Sequence, residues 1–151
     1  MKSLLRLVCL LVFAGCVTVP PPATQSGRVE LTVPGVTSTG CVKSQIISRL
    51  AGHGYSLRSE TDHQIVMGKP ADNIAASVLF GSRWDSTPES RAIITVLQSG
   101  GNVRVIVEDV IITNPGTGME RRQAIHQTQK NQNDFQSWIP LLQDACLHPG
   151  L

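Results

Sequence analysis

The sequence is poor in aromatic residues and has little excess charge. Aromatic side chains make up 4% of its 151 residues, and 13 Lys and Arg stand against 11 Asp and Glu, for a net charge of +2 with histidine neutral. Two of the basic residues, Lys2 and Arg6, precede Cys16, so the chain from Cys16 onward has 11 side chains of each sign. Because nucleic acids attract proteins through net positive charge, we expect no nucleic-acid partner.

The sequence also lacks the motifs by which many catalytic and metal sites are recognised. Its four histidines, His53, His63, His126 and His148, show no His-x-x-x-His spacing, and no Cys-x-x-Cys occurs. We therefore expect no metal and no cofactor. No Gly-rich phosphate loop and no Gly-x-Ser-x-Gly elbow is present either, which favours a protein that is not an enzyme and has no catalytic residues.

The first sixteen residues have the three-part layout of a secretory signal peptide. Residues 1–6 supply a positive end, residues 7–13 form an apolar segment, and two small residues precede Cys16. The apolar segment is too short to span a bilayer stably as a mature helix. An ordinary cleavage site that happens to lie beside a cysteine is the alternative interpretation.

The segment Phe13-Ala14-Gly15-Cys16 resembles the lipobox of bacterial lipoproteins, although Phe stands where Leu is usual. The resemblance covers only the first 16 residues. It implies that residues 1–15 are removed and that the sulfur of Cys16 carries a diacylglycerol, whose acyl chains anchor the protein by about 0.8 kcal/mol per buried methylene. Lipoproteins kept at the inner membrane of enteric-type bacteria usually have Asp after the cysteine. Val17 therefore implies the outer membrane, with the globular part facing the periplasm.

Residues 16–27 are predicted to be a tether, and residues 28–151 a single globular domain. Three consecutive prolines and small polar residues follow Cys16, a composition that favours extended polyproline II and cannot form a core. A proline-rich ligand motif is the alternative for this segment.

Two cysteines remain for the exported domain once Cys9 is removed with the leader and Cys16 is lipidated. We expect Cys41 and Cys146 to form a disulfide, because exported domains favour such bonds. A bridge across about 105 residues would stabilise the domain by roughly 4–5 kcal/mol in the chain-entropy model. Two buried free thiols are the alternative.

Hydrophobic periodicity predicts nine elements in the order β-α-β-β-α-β-β-β-α. They are strand 28–35, helix 38–54, strands 55–60 and 63–69, helix 70–82, strands 90–98 and 102–113, strand 119–129 and helix 131–150. The strand at 119–129 has a helix as its alternative. The order predicts an α+β domain with an antiparallel sheet and helices mainly on one face.

Three details of these elements are less regular. Pro70 is expected to begin the second helix. The alternation of apolar residues slips around residues 109–112, which suggests a bulge or a bend. Pro140 requires that the last helix either kinks there or begins its regular part near Ser137, with the proline in the first turn.

Two polar segments are candidate contact sites for a partner. The loop of residues 80–91 contains Arg83 and Trp84, and Trp and Arg are favoured anchors in interfaces, although a buried Trp84 is the alternative. Arg121 and Arg122 form a small basic cluster on the polar strand, where a solvated sheet edge is the alternative.

The leading hypothesis is a non-enzymatic outer-membrane lipoprotein that acts as an accessory or assembly module of a cell-envelope complex. Its expected partners are the membrane, through the lipid anchor, and an envelope protein; homo-oligomers are also open. The alternative is a periplasmic ligand-binding or weakly hydrolytic domain. It would have a pocket between sheet and helices, with Asp62, His63 or His126 at the rim.

Overall fold

The computed structural model describes residues 27–71 and 87–148. The lipobox with Cys16, the tether up to residue 26, residues 72–82 of the predicted second helix, and Arg83 and Trp84 all lie outside the described residues. Among the residues that are described, no helix has both the length and the hydropathy needed to cross a membrane.

The described residues form six strands and three helices. In chain order these are β1 (Arg28–Val33), α1 (Thr39–Gly52), β2 (Ser56–Glu60), β3 (Gln64–Pro70), β4 (Glu89–Ser99), β5 (Asn102–Thr113), β6 (Arg121–Ala124), α2 (Gln129–Gln136) and α3 (Trp138–Leu147). All strand pairs are antiparallel, in the order β1-β5-β4-β3-β2, and β6 pairs with the part of β5 that lies beyond β1. The α+β prediction is confirmed, and the described strands and helices follow the predicted order, with the closing helix divided into two.

The helices cover one face of the sheet, which we call the covered face. Inward side chains of four strands pack there against three buried residues of α1 (Val42, Ile46 and Leu50) and against Leu142 of α3. The strand residues of this core are Val29, Leu31, Val33, Ile65, Met67, Ala92, Ile94, Val96, Val103, Val105 and Val107. Alternation in the strands and the three-to-four spacing in α1 place all of them on the same side of the sheet.

The first turn of α1 shows how local sequence fixes an element boundary. Ser38 lies in extended backbone just before the helix, and its Oγ accepts a hydrogen bond from the Cys41 backbone N–H at 3.2 Å. A serine in this position satisfies one of the first N–H groups of a helix, which have no partner within it. Cys41 is thereby held in the first turn, beside the covered face.

The expectation of a bulge at residues 109–112 is wrong, as the β4–β5 hairpin shows. Gly100 and Gly101 both have positive φ, as a two-residue turn of the hairpin type requires, and the register is continuous from Ser99↔Asn102 to Glu89↔Ile112. The apolar pattern slips because burial changes face. Val107 is buried on the covered face, whereas Val110 and Ile112, an odd number of residues further on, are buried on the opposite one.

Pro70 ends β3 instead of beginning a helix, so that expectation is wrong. It is paired with Glu89 at the end of the β3–β4 ladder, and the next residue, Ala71, donates its N–H to the Pro88 carbonyl at 2.9 Å. A proline at the end of a strand removes little from the ladder, because pairing stops there in any case.

The elements after β5 decide between strand and helix for residues 119–129 and between a kinked and a late-starting helix at Pro140. Arg121–Ala124 is a strand, as favoured, and all four of its residues are exposed. The closing segment is two helices that meet at Ser137, so Pro140 is the third residue of α3. In the first turn of a helix a proline lacks only an N–H that would have had no partner within the helix.

Candidate functional site

The disulfide prediction is confirmed. Cys41 in the first turn of α1 and Cys146 near the end of α3 are bonded, with their Cα atoms 5.8 Å apart. The bond joins helices that are 105 residues apart in sequence and lie side by side on the covered face. Both sulfurs are committed to each other, so neither is available as a nucleophile.

A groove lies on the covered face where the apolar core ends, and we call it the Asp109 groove. It has a volume of about 420 Å³. Its lining comes from the end of α1, from β5 and from the junction of α2 and α3, and comprises His53, Asp109, Asn131, Asp134, Phe135, Ser137 and Trp138. Asp109 follows Val107 by two residues on β5, so its side chain occupies the next position on the covered face.

Asp109 is partly buried, and its carboxylate has one side-chain hydrogen-bond donor among the described residues. Its Oδ2 accepts a hydrogen bond from Gln127 Nε2 at 2.8 Å. Burial raises the pKa of Asp109 by desolvating the carboxylate, and the Gln127 bond opposes this only in part. The carboxylate is therefore in a site that would gain from a positively charged or hydrogen-donating neighbour.

Two aromatic side chains form the apolar wall of the Asp109 groove. The rings of Phe135 and Trp138 pack edge to face, with their centroids 5.2 Å apart and their planes at 65°. Both rings are partly buried against the core. The groove thus combines a partly buried carboxylate with aromatic surface, a pairing typical of sites that bind small molecules.

The rim residues expected from the sequence do not meet at this groove. Asp62 and His63 lie in the exposed turn between β2 and β3, and His126 is exposed just after β6. None of the three lines the groove, whereas His53 at the end of α1 does. No local pattern links His53 to Asp109, because the two residues are distant in sequence.

The face of the sheet opposite the covered face, which we call the open face, carries a second candidate site. A shallow depression of about 340 Å³ crosses β1, β5, β4 and β3 and reaches β6. Its lining residues are Arg28, Gln64, Ile93, Thr95, Ile106, Glu108 and Arg122. In the register, Ile106 lies opposite Thr95 and Ile93 lies opposite Glu108, so aliphatic and polar side chains form one contiguous patch.

Charges surround the aliphatic centre of the open face. Glu108 is shared by Arg28 at 3.4 Å and Arg122 at 2.6 Å. Arg104 and Glu30 form a further pair beside Ile106, with Nη2 and Oε2 2.6 Å apart. Because two guanidinium groups share the carboxylate of Glu108, this part of the face has an excess of positive charge.

Arg121 and Arg122 do not form the single basic cluster suggested by their sequence. Successive side chains of a strand point to opposite faces, so Arg122 reaches Glu108 on the open face while Arg121 points to the other side. Only Arg122 of this pair therefore belongs to the open face.

A third site, which we call the Glu89 cluster, links Arg58, Glu89, Arg91 and Glu120. Glu89 Oε1 accepts from Arg58 at 2.5 Å and Oε2 accepts from Arg91 at 2.7 Å, while Arg91 also bonds Glu120 at 2.9 Å. Burial lowers the pKa of Arg91, but the carboxylates of Glu89 and Glu120 outweigh it, so the pKa is raised and the guanidinium stays charged. Both oxygens of Glu89 are occupied by arginine side chains, and we interpret the cluster as structural.

Within the described ranges, 27–71 and 87–148, no three His, Cys, Asp or Glu side chains lie together as a metal centre would require. Comparison with known proteins adds no relative: no protein-family model matches the chain, and no curated protein sequence matches it either.

Proposed function

We propose that the protein is a lipid-anchored, non-enzymatic interaction module of a bacterial cell envelope, and that the open face is where it docks its partner. The observation that carries the proposal is the partly exposed aliphatic centre of the open face. All three described helices pack on the covered face, while the opposite face carries half-buried aliphatic side chains, Ile93 and Ile106, at its centre.

The composition of the open face supports a protein as the occupant. A sheet face that only meets water normally carries polar residues at every outward position. Here Ile93 and Ile106 lie on neighbouring strands with charges around them, which resembles the apolar centre and polar rim of a protein interface.

The charges specify the chemistry of that partner. Arg28 and Arg122 share a single carboxylate, and both guanidiniums remain well exposed. A partner with a small apolar patch bordered by Asp or Glu would bury the isoleucines and give the second guanidinium a carboxylate of its own. Such complementary charges favour specificity and fast association.

The anchor places this face near other envelope proteins. By its resemblance to a lipobox, Cys16 would carry the lipid, and Val17 favours the outer membrane with the domain in the periplasm. The 11 residues 17–27 would span about 35 Å as extended polyproline II, enough to hold the domain clear of the membrane surface.

Metabolic labelling tests the anchor. A radioactive or alkyne-tagged fatty acid should enter the native chain but not Cys16→Ser, because only the Cys16 thiol can accept the diacylglycerol. The control is Cys9→Ser, which changes a cysteine of the leader and should label as the native chain does. Equal labelling of Cys16→Ser and the native chain would refute the anchor.

Site-specific photo-crosslinking in living cells tests the docking face. Benzoylphenylalanine at position 106 should crosslink to a discrete envelope protein, whereas the same group at Ser44, an exposed position of α1, should not. The identified partner should show an apolar patch bordered by acidic residues. If position 106 yields no product beyond that of position 44, the open face is not the docking surface.

The paired arginines provide a sharper control for the same experiment. Arg122→Glu reverses the charge on the open face and should reduce the crosslink from position 106 several-fold. Arg121→Glu makes the same change one residue away, on the opposite side of β6, and should leave the yield unchanged. Equal losses in both variants would mean that net charge, and not the open face, governs the association.

A further inference from the structure

An amide with an unsatisfied oxygen lies beside the Asp109 groove. Asp109 takes one hydrogen bond from Gln127, and the other end of that amide, Gln127 Oε1, is buried with no partner among the described residues. Asp134 adds a second carboxylate to the lining. A buried acceptor without a donor is unfavourable, so a ligand that brings a donor to the Gln127–Asp109 pair would be favoured.

Positive charge is scarce in the same place. Of the described residues that line the groove, only His53 can become cationic, whereas Asp109 and Asp134 can both be anionic. The desolvated carboxylate of Asp109 has no described cation as a hydrogen-bond partner, in contrast to Glu89, which is held by two arginines. The groove therefore lacks the counter-charge that a buried carboxylate usually has.

The aromatic wall supplies the other half of a recognisable chemistry. The faces of Trp138 and Phe135 attract cations electrostatically when these lie within about 6 Å of the ring centroid. The same rings offer apolar surface for a hydrocarbon body. Carboxylate and aromatic surface together select against anions and against strongly hydrated polar molecules.

We propose that the Asp109 groove binds a small organic ammonium ion, whose N–H groups donate to Asp109 and whose apolar body packs against Trp138 and Phe135. A volume of about 420 Å³ suits one small molecule and excludes a folded peptide. This site is independent of the docking proposal, because the groove lies on the covered face and Ile106 on the open face.

A titration followed by ¹H–¹⁵N NMR of the full chain tests the site with three probes of nearly equal shape. 2-Phenylethylammonium should shift the amides of residues 53, 109 and 134–138 with a dissociation constant in roughly the millimolar range expected of a fragment. 2-Phenylethanol, which lacks the charge, and phenylacetate, which reverses it, should bind at least tenfold more weakly. Equal affinity for all three probes would overturn the proposal, as would shifts located elsewhere.

Two variants locate the interaction on the protein. Asp109→Asn keeps the shape and can still accept from Gln127, and it should weaken 2-phenylethylammonium at least tenfold. Asp144→Asn makes the same change at an exposed position of α3 outside the groove, and it should have no effect. Trp138→Leu should weaken binding of 2-phenylethylammonium several-fold.

The outcomes are decisive even if a variant fails to fold. The comparison of the ammonium, alcohol and carboxylate probes uses the native chain and decides the charge preference alone. Unchanged affinity in a folded Asp109→Asn chain would refute the carboxylate as the recognition group. Loss of crosslinking from position 106 with the ammonium titration intact would affect only the docking proposal.

Discussion

Replacing Glu89 by glutamine should lower the free energy of unfolding by about 2 kcal/mol. Glu89 is the one charged residue that is buried among the described residues, with 5% of its surface exposed. Its two oxygens hold Arg58 at 2.5 Å and Arg91 at 2.7 Å. The substitution keeps the size and shape of the side chain and removes its charge, so the change measures the charge interaction rather than a cavity.

The magnitude follows from how each arginine can respond. Leaving a buried charge without its partner costs about 3–5 kcal/mol. The Arg58 side chain is 47% exposed and can turn to water, so its share is that of a surface pair, about 0–1 kcal/mol. Arg91 is only 19% exposed but keeps Glu120 at 2.9 Å, which reduces the loss on that side. About 2 kcal/mol is therefore expected in total.

Urea denaturation of the purified full chain at pH 7, without reductant, measures the effect. Glu89→Gln should move the midpoint down by roughly 1 M with an unchanged slope, because the unfolded surface is the same. Glu30→Gln is the matched control, since it removes a carboxylate from a well-exposed pair with Arg104 and should not move the midpoint measurably. Equal midpoints for the two variants would refute the reasoning, since it requires burial to separate them.

Three further changes have defined outcomes. Replacing Cys41 and Cys146 together by serine should lower the free energy of unfolding by about 4–5 kcal/mol in urea, because the bridge closes a loop of 105 residues, and a loss below about 1 kcal/mol would contradict this. The methyl group added by Gly68→Ala would overlap Glu89 Oε1 and lie 2.8 Å from its Cδ, so we expect the free energy of unfolding to fall by about 1–3 kcal/mol. In a double-mutant cycle with Glu89→Gln the two losses should be less than additive, because both changes act on Glu89. Because burial raises the pKa of Asp109, the folded state binds this proton more tightly than the unfolded state, and the ionised group destabilises the fold. The free energy of unfolding should therefore fall as the pH rises from below the pKa that Asp109 has in the unfolded chain to above its raised pKa in the folded chain. Asp109→Asn should become more stable relative to the native chain over that range, and a constant difference between pH 3 and 7 would contradict this.

Short-range patterns in the sequence predict most of the described elements of this fold. The alternation in β1, the apolar stripe of α1 after Ser38 and the paired glycines of the β4–β5 turn each determine one element from neighbouring residues alone. The disulfide was also predictable, because only Cys41 and Cys146 remain if Cys9 belongs to a leader and Cys16 is lipidated. These features depend on local periodicity or on elimination, and neither requires knowledge of the register.

The candidate sites depend on the register and could not be obtained in this way. Glu89 meets Arg58 only because β2, β3 and β4 are adjacent, and the small Gly68 between them leaves room for the carboxylate. Asp109 and His53 are brought together by the packing of α1 on the sheet. Their separation in sequence gives no periodic signal.

The slip of the apolar pattern in β5 reflects a change of the buried face and not a bulge. A bulge and a change of buried face both disturb the alternation, and single-strand periodicity does not distinguish them. The partner strand does: Ala92 and Ile94 are buried on the covered face, whereas Glu89 is buried on the other face, so β4 changes face at the same level as β5. A change that occurs in two paired strands together indicates that both sheet faces have buried contacts.

That change of face also explains why the two proposed binding sites are adjacent and yet separable. Glu108 and Asp109 are consecutive in β5, so their side chains point to opposite faces, one to the arginines of the open face and the other into the groove. A continuous ladder of hydrogen bonds to β4 holds β5 at this point. A side chain that moves on one face of the sheet therefore has little effect on the other face. Asp109→Asn should therefore leave the crosslink from position 106 unchanged, and Arg122→Glu should leave the ammonium titration unchanged. Coupling between the two measurements would show that β5 shifts as a unit when either face is occupied.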